Sequence, residues 1–114
     1  MEKMVFTYGT LQKYSVLQMV PGNHELISDA TLRGFRRETD IRLSPDTEGV
    51  VEGKILATDS LSSIDNYESV DSGVYHRVLV PVNDGSRAWL YQFGNNREAT
   101  EEHIEDNEVI IEVQ

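Results

Sequence analysis

A chain of 114 residues, 39% hydrophobic and 26% charged, can enclose one core and is too apolar for general disorder, so a single globular domain over 1–114 is expected. Ten Lys and Arg against twenty Asp and Glu leave a formal net charge of -10, which repels phosphate backbones and anionic bilayers and argues against nucleic-acid and membrane partners. With no cysteine, disulfides, thiolate metal sites and cysteine nucleophiles are excluded, and a reducing compartment fits.

No apolar run approaches the roughly 18 residues of a membrane span, and the first residues lack a signal peptide's apolar core, so the cytoplasm is the expected compartment. Val5, Phe6 and Tyr8 begin the chain as a strand, because bulky side chains favour extended backbone. Gly9 ends that run. Thr10 can cap a short helix carrying Leu11, Tyr14, Leu17 and Val20, which Pro21-Gly22 would stop. A mixed strand signal follows at 30–35, and a clearer one at 50–57 sets Val51, Gly53, Ile55 and Ala57 on one face.

Residues 59–70 read as a second helix, capped by Asp59 or Ser60, with Leu61 and Ile64 on one face. Four residues on from Ile64, that face reaches Glu68; Tyr67 offers a competing continuation that would leave Glu68 on the rim. A rim glutamate would pair with Arg77 or face solvent, and the pattern alone favours this, because Glu is mostly exposed. A partly buried carboxylate would instead hold its proton more tightly and could exchange it near neutral pH. The period leaves both open.

The strongest local signal is a hairpin over 74–93, where Val78, Val80 and Val82 lead into Asn83-Asp84-Gly85-Ser86, followed by Ala88 to Phe93. Pro81 cannot donate to a ladder and belongs at an edge or bulge. Val109, Ile111 and Val113 mark a last strand. The expected fold class is therefore α+β, with about five or six strands and two short helices, curling towards a barrel.

Taken in order, residues 5–11, 30–34, 50–56, 64–68 and 75–82 resemble the gamma-glutamylcyclotransferase-like family. The resemblance covers roughly residues 5–93 and is most specific in Tyr8-Gly9-Thr10-Leu11 after a first strand, and in Asp65-x-x-Glu68 followed by Tyr75-x-Arg77. It implies a small mixed β-barrel with short helices. It also implies that Tyr8, Gly9, Thr10 and Leu11 hold a gamma-glutamyl group, that Glu68 is the acid and base, and that Tyr75 is the aromatic residue of the site. Ser69 stands where relatives often have Gly, and 38–47 offers only Leu43-Ser44-Pro45 where they have a Gly-Tyr-Pro pattern. These differences bear on substrate choice. Nothing in the acidic stretch after Phe93 matches a family feature.

The implied chemistry closes the substrate's own α-amine onto its γ-carbonyl, giving 5-oxoproline and a free amine. It needs no cofactor and no enzyme nucleophile, only an anchored near-attack geometry and a proton carrier. A glycine turn entering a helix would offer backbone N–H groups and a helix dipole to the substrate carboxylate, with Gly9 allowing close approach. A plain strand-to-helix turn would use the same glycine.

Other chemistries find less support. His24, His76 and His103 lack a zinc spacing, the acidic run 101–106 reads as a solvated face, and Ser15, Ser44 and Ser86 have no recognisable elbow. Arg33, Arg36, Arg37 and Arg42 could hold an anionic ligand, though pairing with Glu38 and Asp40 is the simpler view. A small-molecule binder or interaction protein on the same fold is thus the alternative to an enzyme. Oligomeric state is unspecified by the sequence.

Overall fold

The computed structural model describes residues 3–38, 43–67, 75–83, 85–93, 102–103 and 108–111. Seven strands run in chain order: β1 Lys3–Thr7, β2 His24–Arg37, β3 Leu43–Thr58, β4 Tyr75–Pro81, β5 Arg87–Phe93, β6 Glu102–His103 and β7 Glu108–Ile111. A 3₁₀ turn, Thr10–Gln12, and helix α1, Tyr14–Leu17, follow β1; helix α2, Leu61–Tyr67, follows β3. The α+β class is as expected. No helix among the described residues is long and apolar enough to cross a membrane.

All seven strands share one sheet, ordered β6-β4-β5-β1-β3-β2-β7. The expected hairpin forms over Tyr75 to Phe93 with Val78 opposite Leu90, and Gly85 turns it at φ 90°, the left-handed conformation that such a reversal requires. Pro81 is the last residue of β4, where a missing donor costs least. β1 sits near the middle, antiparallel to β3 and parallel to β5 through Val5–Trp89 and Phe6–Leu90. β2 and β3 form the longest ladder, interrupted by register shifts between Leu26 and Ser28 and between Arg33 and Phe35, which add local twist and help the sheet curl.

The curl brings the two ends of the sheet together without closing a true barrel. β6 lies along β4 and β7 along β2, while Val82, just past β4, makes a single bridge to Val109. Inside the curl, Phe6, Tyr8, Leu32, Ile55, Val78, Val80, Leu90 and Val109 form one buried cluster drawn from six strands. On the outer face, Leu11, Leu17 and Val20 join Ile64 of α2 in covering Val5, Leu56, Trp89 and Tyr91. The short helical elements and α2 are therefore held by burial in one shared layer, since segments of this length are not stable helices alone.

Candidate active site

β1 carries buried side chains on both faces, so the chain leaves the sheet at Thr7 with its direction fixed. Tyr8 turns back into the inner cluster, 7% exposed and stacked on Phe6 with ring centroids 6.4 Å apart. Its hydroxyl donates to the main-chain carbonyl of Tyr91 at 3.0 Å. Leu11 is buried in the outer layer. Both side chains thus serve as anchors of the loop, and main chain is what the loop can present between them.

At Gly9, a side chain would meet nothing within 4 Å among the described residues. Among the described residues the glycines with positive φ are Gly22, Gly34 and Gly85, so the backbone at Gly9 makes no demand that only glycine meets. Its carbonyl accepts from the Gln12 N–H at 3.1 Å and from Gln12 Nε2 at 3.3 Å, which closes the turn and leaves one flank of the loop open. The side chain of Thr10 lies outside the described set.

The single helix expected after Thr10 is instead a 3₁₀ turn and a four-residue helix, separated by Lys13 at φ -92°, ψ 123°. That extended residue resets the helical phase: Leu11, Leu17 and Val20 stay buried, but Tyr14 turns outward at 69% exposure. So few aligned peptides do not sum to a helix dipole. Any carboxylate held here would depend on individual N–H groups of the first turn.

Across the outer layer, Ser60 immediately precedes α2; its carbonyl accepts from Ser63 N–H at 3.1 Å and its hydroxyl meets that of Ser63 at 2.7 Å. Asp59, the other expected cap, turns away and accepts from the N–H and the side-chain amide of Asn23 at 2.9 and 2.7 Å. The Asn23 N–H, then its amide, and then the nearby His24 hold the Asp59 carboxyl below the usual range. His24 bridges the Thr58 hydroxyl at 2.8 Å and the carbonyls of Val20 and Pro21 at 3.1 and 2.9 Å, locking this corner.

Ile64 is fully buried against Leu11 and Trp89, whereas Tyr67 is 41% exposed, so the apolar stripe of α2 does not continue through Tyr67. Asp65, beside Ile64, accepts a hydrogen bond from the Tyr91 hydroxyl at 2.5 Å. Glu68 lies outside the described residues, as do the side chains of Tyr75 and Arg77, whose backbones belong to β4.

Two residues that sequence reasoning did not connect with the loop meet it here. Arg37 places its guanidinium carbon 5.7 Å from the Tyr8 ring centroid, bringing one member of the arginine group to the loop. Tyr91 joins Tyr8 to Asp65. Neither contact has a local sequence signal, because each depends on strands brought together by the curl. Glu38 accepts from the Ser44 hydroxyl, while Asp40 and Arg42 lie outside the described residues.

Residues 5–109 match the model of the family described as gamma-glutamyl cyclotransferase, AIG2-like. The chain belongs to this family. The match extends past the region that resembled it on sequence motifs and takes in the segment leading to β7. AIG2-like protein A of Arabidopsis thaliana is 31% identical over 86 residues, 68% of this chain; the aligned region spans 50% of that relative's length. A solved structure described as a gamma-glutamyl cyclotransferase superposes with a TM-score of 0.66 at 17% identity, over 83% of this chain and 68% of the other. An uncharacterized protein from Homo sapiens gives 0.65 at 18% identity, over 82% and 68%. A solution structure from Arabidopsis thaliana gives 0.60 at 27% identity, over 85% and 72%. At 17% and 18% identity the shared property is the fold alone.

Proposed function

We propose that this chain is a gamma-glutamylcyclotransferase that releases an amine and 5-oxoproline from a gamma-glutamyl amine or peptide. The neutral α-amine of the glutamyl group attacks its own γ-carbonyl, and Glu68 takes a proton from the nitrogen as the bond forms. The new N–Cδ bond closes a five-membered ring, the Cδ–N bond to the leaving amine breaks, and the proton passes from Glu68 to that amine. No water, metal or cofactor enters the balance. Main chain of the Tyr8-Gly9-Thr10-Leu11 loop receives the glutamyl head, with Tyr75 beside it.

The observation that carries this reading is at Gly9. Neither positive φ nor a close protein neighbour among the described residues asks for glycine there, yet the loop on either side is pinned by Tyr8 and Leu11. A glycine flanked by open space is what close approach of a ligand to backbone uses. Exposure of Tyr67 supports the companion role of Glu68, because it favours the stripe that runs from Leu61 through Ile64 towards position 68. The family is consistent with a small-molecule substrate. The lack of cysteine suits a cytoplasmic setting.

Incubation with a panel of gamma-glutamyl amines and dipeptides, with 5-oxoproline as the measured product, tests the reading. Wild-type chain is expected to form product, and Glu68→Gln to lose roughly 10²–10⁴-fold in turnover while remaining folded, the usual weight of a general acid–base group. Equal product from both proteins rejects the role of Glu68. No product across the panel favours the second reading, a non-catalytic binder of anionic small molecules or an interaction protein, to which the Arg37–Tyr8 contact gives its specific support.

A further inference from the structure

Tyr91 of β5 is 4% exposed, with its ring in the outer layer beside Leu11 and Ile64. Its two polar ends serve two different elements. The hydroxyl donates to Asp65 Oδ1 in α2 at 2.5 Å, and the main-chain carbonyl accepts from the Tyr8 hydroxyl at 3.0 Å. One residue of the central sheet therefore touches both the loop proposed to hold the glutamyl head and the helix that leads, three residues after Asp65, to Glu68.

The two kinds of contact do different work. Burial of Ile64, with Leu61 partly buried beside it, holds α2 to the sheet, but apolar packing is non-directional and sets the roll of a seven-residue helix less sharply than a directional bond does. A charge-assisted hydrogen bond is directional and short, so Tyr91–Asp65 fixes the roll. The Tyr8 bond uses main chain, which any residue at 91 supplies. Removing the Tyr91 hydroxyl thus takes away this directional contact with α2 without releasing the loop.

We propose that Tyr91 is a positioning residue for the cyclotransferase reaction, setting the angle of α2, and with it Glu68, relative to the Tyr8–Leu11 loop. This rests on the proposed function above. Attack on the carbonyl carbon and proton delivery are sensitive to displacements of about 1 Å, which cost roughly 100-fold. Tyr91→Phe is accordingly expected to lower kcat by roughly 10- to 100-fold with KM within about twofold of wild type.

The test is steady-state kinetics on the best gamma-glutamyl substrate of the panel for Tyr91→Phe, Asp65→Ala, Asp65→Asn and the Tyr91→Phe/Asp65→Ala double variant. Melting curves and calorimetric binding of that substrate to Glu68→Gln, with and without Tyr91→Phe, accompany it. Expected are a fall confined to kcat, a double variant no worse than the poorer single one, partial retention in Asp65→Asn, which keeps an acceptor oxygen, and unchanged substrate binding. Wild-type kcat in Tyr91→Phe, additive losses, or a loss explained by weaker binding and a lower folded fraction overturns the proposal while leaving the cyclotransferase reading intact. No 5-oxoproline from the wild-type chain overturns both.

Discussion

The main-chain oxygen of Thr7 lies 2.3 Å from the point where a methyl group on Gly53 would stand, and Phe6 Cζ lies 2.7 Å from it. β1 thus crosses β3 at a distance only glycine permits, immediately before the chain leaves the sheet at Tyr8. Gly53→Ala is expected to push the two strands apart and cost about 1–3 kcal/mol, as overpacked sites do, with a lower midpoint in urea as the measurement.

Gly9→Ala should behave in the opposite way. With no described neighbour within 4 Å and no positive φ, the added methyl leaves stability within about 0.5 kcal/mol or raises it by up to about 1 kcal/mol through the unfolded chain. On the proposed function, turnover of gamma-glutamyl substrates is expected to fall nonetheless, mainly through KM, because the methyl would stand on the side of the loop proposed to receive the ligand. A variant that melts like wild type and also turns over like wild type removes Gly9 from the site.

Ile64→Ala tests whether the helix is held chiefly by its one fully buried side chain. A loss of about 2–5 kcal/mol is expected for a truncation of this size in a packed layer. Amide exchange should rise first over Leu61–Tyr67 and only later in β1 and β5.

Asp59 gives the chain a pH dependence whose sign follows from its lowered pKa. The folded form holds the carboxylate ionised through the Asn23 contacts, so this contribution is fully present above the unfolded value of about pH 4. It is lost as pH falls through the folded value. Asp59→Asn should therefore be less stable than wild type near neutrality and converge with it in acid. A constant gap between the two melting curves at every pH would refute the assignment.

How much of this was legible in the sequence differs from element to element for physical reasons. The β4–β5 hairpin was, because alternation and the turn around Gly85 are local. β2 and β3 were read at 30–35 and 50–57 but extend over His24–Arg37 and Leu43–Thr58, since their outer parts are mostly polar, with Leu26, Ile27 and Leu43 too few to set an apolar period. Five or six strands were expected, and seven are found among the described residues, the two-residue β6 being too short to show a period. Lys13 broke the first helix without any proline or glycine to announce it. The turn after β1 and the helix at Leu61–Tyr67 were legible locally, from Gly9 and from the spacing of Leu61 and Ile64. The Tyr91–Asp65 and Arg37–Tyr8 contacts were out of reach, because they join residues far apart in the chain that only the folded sheet brings together.

β6, Glu102–His103, lies along β4, and β7, Glu108–Ile111, lies along β2. The two act as the seam of a rolled cloth, stitched on one side at Val78–Leu79 and on the other at Ala30–Arg33. Until both strands have been synthesised and laid down, β2 and β4 each carry a raw border of unpaired amides and carbonyls, the feature that invites pairing with other chains. Aggregation during folding should therefore be governed by how soon the seam is sewn, even though the loop around Gly9 and its partner helix lie elsewhere on the sheet.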